Sequence, residues 1–170
     1  LQNEDSIELE MVRSFQDKIK NSIMADIETA PVSAKSLEDA ADDPAIWYNA
    51  SDPSRSIVFG SNKRGGIVAY DLAGNELNYY PIGNINNIDI LSSNSLSTSK
   101  QLLGCTNRST QSIDLFFIEA DGSLQAARKN QFKVDSTKID DVYGFCFGKD
   151  VQADKNYLFM NGKNGRMNQY

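Results

Sequence analysis

An all-β fold of repeated antiparallel sheets, led by one helix, is the class this sequence predicts. Three observations predict it. From Asp42 onward, short apolar runs are separated by Gly, Asn, Asp and Ser, the texture of a β-meander. Those runs recur. Ser56-Ile-Val-Phe-Gly-Ser-Asn62 matches Gln101-Leu-Leu-Gly-Cys-Thr-Asn107 and then Tyr157-Leu-Phe-Met-Asn161, while the stretch from Ile67 to Leu77 matches that from Ile113 to Leu124. The spacing is about 45 residues, which suits four antiparallel strands per blade of a β-propeller. A β-sandwich is the alternative, but it gives no reason for a repeat of this length.

Taken in order, residues 1–22 are expected as an N-terminal amphipathic helix, helical from about residue 4. Met11, Val12, Phe15, Ile19 and Ile23 recur at three- and four-residue spacing, with charges between them. The helix is expected to pack on the outside of the domain or on a partner. Residues 23–41 read as an extended segment ending at Pro31, then a polar, acidic linker. The propeller domain spans 42–170, in blades of about 42–84, 85–133 and 140–170. The first blade has strands at Ala45–Tyr48, Ser56–Ser61, Gly66–Asp71 and Glu76–Tyr80. The second has Ile88–Leu91, Gln101–Thr106, Ser112–Glu119 and Leu124–Arg128. The third has Val142–Phe147, Tyr157–Asn161 and Arg166–Tyr170, and lacks its fourth strand. Asp71-Leu72-Ala73-Gly74-Asn75 and Asp121-Gly122 carry hairpin-turn chemistry. A propeller needs at least four blades to close, so an incomplete ring of three is expected to be a fragment or to be completed by another chain.

Composition narrows the chemistry. A net charge of −6 disfavours nucleic acid and would repel polyanions unless a bound cation reversed the sign locally. No window of 18 apolar residues exists for a membrane span. The acidic start, Leu1-Gln2-Asn3-Glu4-Asp5, does not resemble a leader, although a processed exported protein would look the same. The chain has no histidine, which removes Ser-His-Asp hydrolases, His-ligated zinc and histidine-nucleophile phosphatases. Cys105 and Cys146 lie in apolar strands and are expected as buried core thiols rather than a disulfide or a nucleophile. Carboxylates, Lys/Arg, Tyr and an oxygen-ligated metal are left to carry any reaction.

Polar groups gather at one end of every repeat, because the start of a first strand and the end of a second meet there in an antiparallel sheet. Strand one is opened by Asp42-Asp43, by Asn87 and Asp89, and by Asp140-Asp141. Strand two is followed by Lys63-Arg64, by Arg108 and by Lys163. These could be solvated loop charges or turn caps. Their recurrence favours another role: hard oxygen ligands for Ca²⁺ or Mg²⁺, beside cations that suit phosphate oxygens. No EF-hand loop occurs.

Asp42-Asp-Pro-Ala-Ile-Trp47 resembles the signature of the calcium-dependent β-propeller phytases. Further matches follow in the family's order: Asn62-Lys63-Arg64, Gly66 to Leu72, Asn86-Asn87-Ile88-Asp89, Asn107-Arg108-Ser109, Asp141-Val-Tyr-Gly-Phe145 and Gly162-Lys163. The resemblance implies a six-bladed, secreted or periplasmic enzyme that removes phosphate from calcium-complexed phytate. It implies that Glu28, Asp42, Asp43, Asn87 and Asp89 belong with Ca²⁺ ligands. It also implies that Lys63, Arg64, Arg108, Tyr143 and Lys163 hold phosphates, with Asp42, Lys63, Arg108, Tyr143 and Lys163 serving catalysis by a calcium-bridged water. Without the family, Tyr143 could be a core aromatic. The family's later acidic ligands have no counterpart here, and Asn164 and Arg166 stand where it often carries acids. Three roles follow: part of a phytase, an incomplete phosphate-binding domain assisting a complete propeller or a second copy of itself, or an interaction scaffold.

Overall fold

The computed structural model describes residues 10–21, 23–34, 39–92 and 101–170. Apart from a short helix, the described residues are all-β, in three antiparallel sheets with strand orders β1-β2-β3-β4, β5-β6-β7-β8 and β11-β10-β9. The first sheet holds β1 (Ala41–Trp47), β2 (Ile57–Asn62), β3 (Gly66–Tyr70) and β4 (Glu76–Tyr80). The second holds β5 (Ile85–Leu91), β6 (Gln101–Asn107), β7 (Ser112–Ile118) and β8 (Leu124–Lys133). The third holds β9 (Val142–Asp150), β10 (Lys155–Gly162) and β11 (Met167–Gln169). Each is a meander in which every strand pairs with the next, so local hairpins suffice to build it.

Two hairpins show why the turns fall where they do. Asp71 Oδ1 accepts from the amides of Ala73 (2.9 Å) and Asn75 (2.8 Å), closing the β3–β4 turn. In the β7–β8 turn Gly122 has φ +87°, and a side chain there would run into Ile57 and Trp47 of the first sheet. That turn therefore docks the second sheet onto the first.

β1 and β5 begin earlier than the sequence pattern indicates, for a shared reason. Pairing slips between Ala41 and Pro44, between Ile85 and Ile88, and opposite Met160–Gly162 in the third sheet. Two residues on the first strand oppose one on the second at each place, a β-bulge. The bulge breaks the two-residue alternation that marks a strand. The paired positions make Asp42-Asp43, Asn86-Asn87 and Tyr143-Gly144 equivalent. Asp89 is thus equivalent to Ala45 and Cys146, and Asp140-Asp141 precede the third bulge rather than form it.

Two apolar clusters fill the joints between sheets. Trp47, Ile57, Phe59 and Ile67 pack with Ile85, Ile88, Leu103 and Phe116 in the first. Ile113, Leu115, Ile139, Val142, Phe145 and Met160 make the second. Cys105 is buried as expected, but Cys146 is exposed. It pairs with Phe159 on β10, at the position of Ala45, on the face of the third sheet opposite to Phe145.

Residues 28–32 run along the outer face of the first sheet, where Thr29–Val32 meet Val58 and Tyr70 and the Ala30 amide donates to Gly74 O (2.7 Å). Helix is seen at 10–16, and the expected helical residues 4–9 lie outside the described residues. Met11, Val12 and Phe15 are 50% or more exposed, so the described part of this helix does not bury its apolar residues against the domain.

Candidate functional site

The three bulges share one scaffold. Ser61 Oγ accepts from the Asp43 amide (2.9 Å), and Thr106 Oγ1 accepts from the equivalent Asn87 amide (3.2 Å). In the third sheet Asn161 stands at that place, and its side chain leaves no room for more than glycine at 144. The residue after each second strand is a cation whose amide reaches the residue before the first strand: Lys63 to Ala40 O (2.8 Å), Arg108 to Asn84 O (2.8 Å) and Lys163 to Asp141 O (3.3 Å). The backbone thus places Lys63, Arg108 and Lys163 at equivalent points on one end of the molecule.

Their partners differ. Lys63 Nζ lies 2.8 Å from Asp39 Oδ2 and 3.1 Å from Asp42 Oδ1. The Asp39 bond raises the Lys63 pKa beyond its ordinary value, with Asp42 adding to it. Arg108 Nη2 is 2.6 Å from Asp141 Oδ2, and Lys163 Nζ reaches the same oxygen at 3.4 Å. Burial pushes the Asp141 carboxyl up, but the hydrogen bonds from Arg108 and Gln111 and the Arg108 charge outweigh it and hold it below its ordinary value. Tyr143 is 38% exposed, which removes the core alternative, and Lys163 Nζ sits 5.5 Å from its ring centroid. Asp39, Lys63, Arg64, Asn84, Arg108, Gln111 and Asp141 line a cavity of about 350 Å³. Three cations against two carboxylates make its wall cationic, on a chain of net charge −6.

The carboxylates expected to bind metal divide into two groups. Asp43 Oδ2 accepts from Asn87 Nδ2 (3.0 Å) and from the Ile88 amide (3.1 Å), joining the first bulge to the second. Next to it Asn86 is 1% exposed, and its Nδ2 donates to Asn87 Oδ1 (2.7 Å). Its Oδ1 is buried with no hydrogen-bond partner. Such an orphaned carbonyl-type oxygen, beside Asp43 and Asn87, is the environment a hard divalent cation satisfies. Asp89 is committed elsewhere, with Oδ1 on the Ile90 amide (2.7 Å) and Oδ2 on the Phe147 amide (2.8 Å), tying β5 to β9. Glu28 is not brought to Asp42 and Asp43, for its carbonyl lies against Gly74 in the β3–β4 turn, at the opposite end of the first sheet. Among the described residues, no three acidic or cysteine side chains come together as a metal-holding group.

Sequence reasoning passed over Asn86, Gln111 and Asp39. Aligning Asn86-Asn87 with Asp42-Asp43 was the available signal for the first. Nothing in the sequence marks the other two.

The phytase family profile matches residues 6–170. A curated 3-phytase from Bacillus subtilis (strain 168) is 36% identical over 152 residues, covering 87% of this chain and 39% of that protein. The chain belongs to the β-propeller phytase family. It spans about two-fifths of the length of the curated relative it matches. The matched span contains all three bulges and all three cation turns described above.

Proposed function

We propose that this chain is part of a calcium-dependent phytase, an exported hydrolase of phosphate monoesters acting on phytate. The observation that carries the reading is the row of Lys63, Arg108 and Lys163 at equivalent turns of three sheets, the first two of which line a cationic cavity with Arg64. Phosphate esters are bound by such rows because each cation offers charge-assisted hydrogen bonds to phosphate oxygens. The sheets are read as propeller blades. In support, all three run as meanders with a bulge at one place, and their first strands stand next to one another, β1 by β5 and β5 by β9. No helix among the described residues is long and apolar enough to cross a membrane.

Each residue has a task in this reading. Arg108 and Lys163 share Asp141 and converge on one phosphate, with the Tyr143 ring beneath Lys163. Lys63 and Arg64 take a second phosphate from the other side of the cavity. Asp43, Asn86 and Asn87, with Asp42 nearby, would hold calcium. When bound, calcium would supply positive charge to the phosphoryl oxygens and raise the acidity of nearby water.

A second reading is a phosphate-binding domain that assists a complete phytase domain. It draws support from the commitment of Asp43, Asp89 and Asp141 to protein donors, while Lys63, Arg64 and Arg108 line the cavity. Phosphate release from calcium phytate, measured beside a binding titration, separates the two. Release abolished by chelator supports the enzyme, binding without release the accessory domain, and neither removes both. Arg108→Ala is expected to weaken inorganic phosphate or phytate binding about tenfold or more, the scale of a charge-assisted hydrogen bond, with calcium affinity nearly intact. Equal loss of both affinities would undo the division of roles.

A further inference from the structure

Gln111 has a left-handed backbone, φ +52°, in the turn between β6 and β7. Glycine is the ordinary occupant of that conformation. A long polar side chain persists there only where surrounding bonds over-determine it. Gln111 has those bonds. Its Nε2 donates to Arg108 O (3.0 Å) and to Asp141 Oδ1 (2.9 Å), and its Oε1 accepts from the Val142 amide (3.1 Å). One side-chain amide thus ties the turn carrying Arg108 to the entry of the third sheet.

Asp141, fixed this way, takes Arg108 side-on. Nε lies 3.3 Å from Oδ1 and 3.1 Å from Oδ2, and Nη2 lies 2.6 Å from Oδ2. A guanidinium presents five N–H groups in a rigid planar fork, and this contact uses Nε–H and one Nη2–H. The terminal edge, made by Nη1 and the second Nη2 proton, is not used by Asp141. Two oxygens of one phosphate fit that edge.

We propose that Gln111 and Asp141 are positioning residues: they hold Arg108 by its Nε edge so that its terminal edge is presented to phosphate. This rests on the phosphate-binding role proposed above. Asp141 thereby orients Arg108 instead of competing for it, and brings Lys163 to the same anion.

The test combines a titration with an NMR observation on the full 170-residue chain. Gln111→Gly suits the backbone but strands the Val142 amide, so it is expected to melt lower than wild type while staying folded, and to bind inorganic phosphate about fivefold more weakly, within the range of couplings inside one hydrogen-bond network. Asp141→Asn should weaken it likewise. In an Arg108→Ala background, Gln111→Gly should change nothing further. The Arg108 Nε–H signal should be resolved and slow to exchange in wild type, and averaged in both variants. Unchanged affinity, tighter binding by Asp141→Asn, or the same loss without Arg108 each overturn the proposal. A wild-type chain that binds neither phosphate nor phytate while keeping a rigid Arg108 signal sinks the phosphate-binding role itself, so the two failures are told apart.

Discussion

The joint between the first and second sheets and the joint between the second and third follow one backbone plan with the bulk on opposite sides. Phe59 on β2 fills the first joint from the earlier sheet, fully buried among Ile85, Ile88 and Leu103. At the same register on β6 stands Gly104, and the second joint is filled from the later sheet by Phe145 and Phe147, edge to face at 5.1 Å. A β-carbon at Gly104 would lie 2.5 Å from the Phe145 ring. The polar ties shift as well. Asp43 reaches forward from the bulge to the Ile88 amide, whereas Asp89, two residues further along, reaches the Phe147 amide. Repetition thus conserves the path of the chain and lets complementary volume be shared out anew at each joint.

The largest effect expected from this contrast is on the first joint. Phe59→Ala removes a side chain with no exposed surface, and should cost about 3–5 kcal/mol in a urea titration. A loss under about 1 kcal/mol would mean that the joint collapses around the gap, and that bulk on β2 is not what holds the two sheets together.

The next contrast lies in the hydroxyls behind the bulges. Thr106 Oγ1 accepts from the Asn87 amide and also donates to Tyr143 O (2.6 Å), bridging two sheets. Ser61 Oγ accepts from the Asp43 amide within its own sheet. Thr106→Val keeps the shape and strands two backbone groups, so about 2–3 kcal/mol is expected, against about 1 kcal/mol for Ser61→Ala. Equal costs would show that the bridge to the third sheet contributes nothing.

How much of this was legible in the sequence follows from the same physics. Strands and turns are local, and the apolar runs with their Asp-Gly and Asn punctuation placed all three sheets. The cations were legible because each follows a second strand in a fixed turn. Bulges were not, since the extra residue destroys the alternation by which a strand is recognised; hence Asn86 was passed over and Asp89 was aligned with the wrong position. Cys146 lies in an apolar run, yet the run does not say which face of the third sheet is covered. Gln111 is invisible to pattern because its importance lies in a backbone angle and in partners about thirty residues away.

The smallest effect concerns charge, and it separates the two joints by pH. Lys63 is held by Asp39 and Asp42 within the region of the first sheet, and Asp141 is the carboxylate that Arg108 and Lys163 share across the second joint. The folded pKa of Asp141 lies below its ordinary value of 3.8. A lowered carboxyl stabilises the fold fully above its unfolded pKa, and that contribution is lost as pH falls through the folded value. The melting difference between wild type and Asp141→Asn should therefore be constant from about pH 5 to 8 and shrink as the pH falls from the ordinary value of 3.8 through the lower folded one. Asp39 is also lowered, chiefly by its bond to Lys63, but its carboxyl is open to solvent and added salt should screen that pair first. A difference that survives acid unchanged would mean that a neutral carboxyl holds Arg108 as well as an ionised one. In that case the second joint would depend on the shape of the Gln111–Asp141 contact, with the charge contributing little.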